Sequence, residues 1–192
     1  MKLFLLSCET IGQYAERILP RLPEQRRLAY ARSRSDLVLG AGLLLASVLK
    51  AQSDKDLLFG KHGKPLLTAG KPAFSLSHSG QHVLLGVSDY LVGVDMERKD
   101  RPVKQAVIDR MCLPQERDYD PLQVFTRKEC AMKLTGLGFS LPLSEIDTTK
   151  DFRWKDGVYR FFTAEQDGYV ISILSAEETL PDIQLLTPEE LL

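Results

Sequence analysis

Four short stretches carry side chains that could do chemistry together. In Val92-Gly-Val-Asp-Met-Glu97 an extended chain puts Val92, Val94 and Met96 on one face and Gly93, Asp95 and Glu97 on the other. Two carboxylates side by side repel unless one is protonated or a cation lies between them, and an all-oxygen donor set suits Mg²⁺ or another hard ion. A solvated acidic strand face is the competing reading. In Phe125-Thr-Arg-Lys-Glu-Cys-Ala-Met-Lys133, helical spacing lines up Phe125, Glu129 and Lys133, with Lys128 about a quarter-turn away. One helix face then offers a carboxylate and an ammonium, although an ordinary surface Glu-Lys pair, worth only about 0.3–0.5 kcal/mol, has the same spacing. Ser77, His78 and Ser79, in Phe74-Ser-Leu-Ser-His-Ser-Gly80, close a candidate strand, where hydroxyls, amides and an imidazole can converge on an anion or simply form a hairpin end. A Ser-His nucleophile is disfavoured there, because adjacent strand residues point to opposite faces and no orienting acid is evident. Gly60-Lys-His-Gly-Lys-Pro65 is no Walker A loop, since Leu58 and Pro65 stand where a Gly and a Ser or Thr are needed. Lys61 and Lys64 can still hold phosphate as point charges, and Gly70-Lys71-Pro72 repeats the tripeptide.

These stretches need elements to position them. Lys2–Ser7 reads as a buried strand and Gln13–Leu19 as a short helix ended by Pro20. Pro23 begins a helical stretch bearing Glu24, Arg26, Arg27, Arg32 and Arg34, which runs on into an apolar helix over Leu37–Leu49. Strands are expected at Leu57–Phe59, Ala73–Ser77, His82–Ser88 and Leu91–Glu97, followed by helices over 103–111 and 122–137. Strands at Phe152–Trp154, Val158–Thr163 and Gly168–Ser175 complete the chain, the first two joined by an Asp156-Gly157 hairpin. This order predicts an α+β protein of two halves of similar plan, residues 1–99 and 100–192, with no flexible linker between them.

The chain has 192 residues, enough for a sizeable core, and its 44% apolar and 27% charged residues exclude disorder, collagen and coiled coil. Lys and Arg number 25 against 26 Asp and Glu, so nothing in bulk draws the chain to nucleic acid or an anionic membrane, and any anion must be held locally. Cys8, Cys112 and Cys130 are too scattered for a disulfide framework or a cysteine zinc site. With no signal peptide and no spanning segment read in the chain, a cytoplasmic protein is expected.

Taken in order, Gly63-Lys64-Pro65, Phe74-Ser-Leu-Ser-His-Ser79, Val92-Gly-Val-Asp-Met-Glu97, and Lys128-Glu129 with Lys133 and Gly136-Leu-Gly138-Phe-Ser-Leu-Pro142 resemble the Sfp-like 4′-phosphopantetheinyl transferases. The resemblance implies a pseudo-twofold pair of α+β halves with coenzyme A in the cleft between them. It implies transfer of 4′-phosphopantetheine from coenzyme A to a serine of an apo acyl or peptidyl carrier protein, releasing adenosine 3′,5′-bisphosphate. Asp95, Glu97 and Glu129 would then hold Mg²⁺, with Mn²⁺ as an alternative. Lys133 would contact the phosphates, Ser77 and His78 would bind coenzyme A phosphate groups, and Lys64 and Lys128 would complete that site. Glu129 and Lys133 are the catalytic candidates, Glu129 primarily as a metal ligand and by hypothesis as the base. Glu116 corresponds to a further acid of many members. Phe125 stands where the family usually has Trp, and which N-terminal Arg contacts coenzyme A is not assigned. Arg98, Lys99, Arg101 and Lys104, with Met111 to Leu113, form a candidate docking edge for an acidic carrier, or else a solvated basic face. A monomer is expected. The rival reading is a non-catalytic protein that binds coenzyme A or a carrier on the same scaffold.

Overall fold

The computed structural model describes residues 1–192. The elements run β1 (Lys2–Ser7), α1 (Ala15–Ile18), α2 (Glu24–Ser33), α3 (Asp36–Val48), β2 (Leu57–Phe59), β3 (Pro65–Leu67), β4 (Ala73–Ser79) and β5 (His82–Ser88). They continue with β6 (Gly93–Arg98), α4 (Gln105–Met111), α5 (Pro121–Thr135), β7 (Phe152–Trp154), β8 (Gly157–Gln166), β9 (Tyr169–Ser175) and β10 (Ile183–Leu186). The mixed α+β composition expected from the sequence is present. No helix is long and apolar enough to cross a membrane.

Alternation along the strands builds the layers. In β1, Phe4 and Leu6 face α3, while Leu3 and Leu5 face the second sheet; β5 does the same with Val83 and Leu85 against Leu84. Val94 and Met96 of β6 and Ile171 and Ile173 of β9 meet Leu3, Leu5 and Leu84 to form the apolar layer between sheets. On the outer face of the second sheet, Cys130, Ala131 and Leu134 of α5 pack with Leu174 and Tyr159. The stack is therefore helix, sheet, sheet, helix. Both sheets follow one connection plan: β1-α3-β4-β5 gives the neighbour order β1-β5-β4, and β6-α5-β8-β9 gives β6-β9-β8. Sheet pairing assigns β6, which the expected boundary at residues 99 and 100 leaves in the N-terminal half, to the second sheet through Asp95↔Ser172 and Glu97↔Val170.

Helix α5 is bounded as its sequence dictates. Asp120 caps it by accepting from the Leu122 N–H at 2.8 Å, Pro121 occupies the first turn, and Gly136 ends it at φ 72°. It lies so close to β6 that a Cβ on Gly93 would stand 1.9 Å from the Cys130 carbonyl oxygen, which is why that strand position is glycine.

Three expectations are corrected. The basic and apolar helical stretches are two helices, because Arg34 takes a left-handed conformation at φ 51° and breaks the run. Trp154 pairs with Gly157, so the tight turn is Lys155-Asp156 and Gly157 already belongs to β8. The strands β3 and β10 were not anticipated: β10 lies parallel to β1 through Leu3↔Ile183, a pairing that spans nearly the whole chain.

Candidate active site

Asp95 and Glu97 project from β6 toward the side covered by α5, as strand alternation requires. Asp95 is only 5% exposed, which excludes the solvated-face reading for it. Its Oδ1 accepts from Lys133 Nζ at 2.6 Å and from Ser77 Oγ at 2.7 Å, while its buried Oδ2 has no hydrogen-bond partner. Glu97 pairs with Arg101 and accepts from Ser79 Oγ at 2.7 Å. The Arg101 guanidinium also lies over the Phe125 ring, 5.8 Å from its centroid.

Glu129 and Lys133 stand on the expected α5 stripe, and both line an open cavity of about 250 Å³. Lys64, Phe74, Met132 and Phe139 are among its other walls. Burial raises the Glu129 carboxyl to about 7, helped by the negative charges of Asp95 and Glu97 and opposed by Lys133 and Arg101. The three carboxylates named from the sequence are thus electrostatic neighbours. They are not gathered as a ligand set in this structure, since no three acidic, His or Cys side chains stand close enough together to hold a metal ion. Asp95 and Glu97 are instead neutralised by Lys133 and Arg101. The donor chemistry nevertheless fits a hard cation: all candidate ligands are oxygens, and Asp95 Oδ2 is a buried acceptor with nothing to accept from.

Lys64 enters the cavity wall from the loop between β2 and β3. Its Nζ donates to the Leu134 carbonyl at 3.3 Å near the α5 C-terminus, where a cation complements the helix dipole, and burial lowers its pKa to about 8. His78 is exposed, one residue along β4 from Ser77 and therefore on the other face. Lys128 is placed quite differently from its sequence expectation. It is fully buried, and its three donors go to Glu116 Oε2 at 2.8 Å, the Leu143 carbonyl at 2.9 Å and the Ile146 carbonyl at 2.6 Å, leaving none for a phosphate. Glu116 is likewise sealed inside and also accepts from the Leu113 and Thr148 amides and the Thr148 hydroxyl. Burial opposes its ionisation, but Lys128 and these hydrogen bonds outweigh that and hold its carboxyl below the usual range. The quarter-turn separating Lys128 from the Glu129 stripe sends it toward the 143–146 loop instead of the cavity.

Met111, expected as apolar docking surface, is buried. An apolar groove does lie beside Glu97, built from Val103, Val107, Leu122 and Phe125 with Arg101 and Lys104 at its edge. The sequence reading missed the pairing of Arg101 with Glu97, and it missed Phe74 and Met132 as cavity walls. It also missed what the serines of β4 do, although the spacing Ser75, Ser77, Ser79 puts all three on one strand face.

Residues 91–177, which carry Asp95, Glu97, Glu129 and Lys133, match the family described as the 4′-phosphopantetheinyl transferase superfamily (ACPS). Over an alignment 214 positions long, gaps included, the chain is 27% identical to the 4′-phosphopantetheinyl transferase Sfp of Bacillus subtilis (strain 168), covering 97% of this chain and 95% of that protein. Across the acid strand and helix α5, and over nearly its full length, the chain is thus similar to 4′-phosphopantetheinyl transferases.

Proposed function

We propose that the protein transfers 4′-phosphopantetheine from coenzyme A to a serine hydroxyl of an apo acyl or peptidyl carrier protein, releasing adenosine 3′,5′-bisphosphate. One observation carries this reading: a single cavity joins two cationic side chains, Lys64 and Lys133, to a carboxyl poised near neutrality, Glu129, beside the unsatisfied oxygen of Asp95. Cations serve a diphosphate, and a carboxylate within the same cavity can serve both as an oxygen ligand for a hard cation and as an acceptor for a hydroxyl proton. The active site is then the cleft between two α+β halves related by a pseudo-twofold, a reading supported by the shared connection plan of the sheets.

In the reaction, the carrier serine oxygen forms a bond to the phosphorus that bears pantetheine, and the bond from that phosphorus to the bridging diphosphate oxygen breaks. Glu129 is foremost a ligand for the metal, and in this proposal it also takes the serine proton, directly or through a water. Lys133 and Lys64 oppose the negative charge that grows on the departing phosphate. His78, exposed on β4, is available for the more distant phosphate of coenzyme A. Held by Asp95, Glu97 and Glu129, Mg²⁺ or Mn²⁺ would supply Lewis-acid neutralisation of the diphosphate. The carrier reaches the site over the groove of Val103, Val107 and Phe125, where Lys104 complements an acidic surface. We propose a monomeric, cytoplasmic enzyme, the monomer being supported by a chain that supplies both halves of the cleft.

The test is to incubate the protein with coenzyme A, Mg²⁺ and an apo carrier and weigh the intact carrier. A gain equal to phosphopantetheine is expected. Binding of coenzyme A with no mass gain would leave a non-catalytic binder in its place, and nucleotide release without carrier would indicate a hydrolase. Glu129→Gln should lose turnover by about 10²- to 10⁴-fold, the span of general-base contributions, together with the Mg²⁺ dependence; near wild-type turnover would remove Glu129 from its role.

A further inference from the structure

We infer that Ser77 and Ser79 are positioning residues that fix Asp95 and Glu97, the Ser77 hydroxyl being engaged by Asp95 instead of a phosphate. The inference deepens the reading above and rests on it for the reaction concerned. Strands β4 and β6 belong to different sheets, with no backbone ladder between them. Their adjoining edges are bridged by side chains instead. Ser75, Ser77 and Ser79 point the same way from β4, and their hydroxyls accept from the backbone amides of Val94 at 3.1 Å, Met96 at 3.3 Å and Arg98 at 3.4 Å. The steps of two residues on each strand are matched, so the strands run side by side in the same direction. Each hydroxyl thereby satisfies an amide that an unpaired sheet edge would leave without a partner.

A serine hydroxyl has one proton and two lone pairs. Once a lone pair takes the strand amide, the proton remains to be placed. Ser77 gives it to Asp95 Oδ1 and Ser79 gives it to Glu97 Oε2, both at 2.7 Å and both across a sequence separation of 18. The same relation occurs twice in register on successive acids of β6, so it follows from how the strands are juxtaposed. Binding a phosphate at Ser77 would need the proton already engaged by Asp95, because the remaining lone pair repels an anion. The bond also decides which Asp95 oxygen stays free. With Oδ1 held by Ser77 and Lys133, Oδ2 is the buried atom left without a partner.

The experiment measures coenzyme A affinity by calorimetry in EDTA, Mn²⁺ affinity by electron paramagnetic resonance of the free ion, and kcat and KM for transfer, in wild type, Ser77→Ala, Ser79→Ala and Ser79→Thr. Removing a hydrogen bond that orients a ligand carboxylate typically costs about 10- to 100-fold in metal affinity or activity. That loss is expected in Mn²⁺ affinity and kcat for Ser77→Ala and Ser79→Ala, with coenzyme A affinity in EDTA unchanged. Ser79→Thr, which keeps the hydroxyl, should restore wild-type values. The inference is overturned if Ser77→Ala weakens coenzyme A in EDTA while Mn²⁺ affinity stays as in wild type, or if no variant changes Mn²⁺ affinity. Should Ser77→Ala fold poorly, Ser79 at the more open end of the seam carries the test. A wild type that binds Mn²⁺ but never modifies a carrier would sink the transfer reading and leave the seam to be judged on the Mn²⁺ titrations.

Discussion

Helix α5 carries two lysines five residues apart, and each is bonded to a carboxylate, yet the two pairs could hardly differ more. Lys128 and Glu116 are both without exposure, and every Lys128 donor is matched. Lys133 is 27% exposed, borders an open cavity, and its partner Asp95 keeps one buried oxygen without a bond. The first pair is saturated and ties the segments around residues 113, 143 and 148 to the helix. The second is unsaturated, next to a third acid held near neutrality, and open to a ligand. A lysine-carboxylate pair is therefore a poor guide to function until its remaining valences are counted: completeness marks a strut, incompleteness a site.

The sharpest way to break this contrast is Glu116→Ala, which strands a fully buried ammonium and should lower stability by about 3–5 kcal/mol in urea unfolding. The paired change Glu116→Leu with Lys128→Met should recover most of that loss, as apolar replacement of a whole buried pair usually does. Asp95→Asn should do the opposite. Its unfolding free energy should fall by less than that of Glu116→Ala, because Lys133 can turn to water, while transfer measured by carrier mass falls by about 10- to 100-fold or more.

A finer test uses pH. Glu129 has a folded pKa of about 7 against an ordinary 4.5, so the folded state holds its proton more tightly than the unfolded chain. The stability this contributes is complete below 4.5 and lost as pH rises through 7. In EDTA, thermal unfolding of wild type should decline relative to Glu129→Gln over that interval; parallel profiles would mean that Glu129 is not strained by its neighbours. Lys64 shifts the other way, from 10.5 to about 8, so coenzyme A affinity should fall as pH passes 8 and Lys64→Arg should flatten the fall. The smallest effect belongs to the groove: Lys104→Glu should raise KM for an acidic carrier a few-fold, more at low salt, with kcat unchanged.

Much of this was legible in local pattern. Alternation in Val92–Glu97 separated the apolar and acidic faces, helical spacing aligned Phe125, Glu129 and Lys133, and Asp120, Pro121 and Gly136 bounded the helix between them. These are consequences of periods of 2 and 3.6 residues and of end-group chemistry, which any short stretch encodes by itself. What only the tertiary structure decided depends on who stands opposite whom across the chain. Lys128, adjacent to Glu129 in sequence, is sealed against Glu116 because the 143–146 loop folds over that side of α5. Ser77, which reads as an anion binder, meets Asp95 because β4 and β6 abut with no ladder between them. Strand β10 returns to pair with β1. A side chain's type and spacing set what it can bond, whereas the donor or acceptor it meets is supplied by distant segments, and that settles whether its valences are filled or left for a ligand.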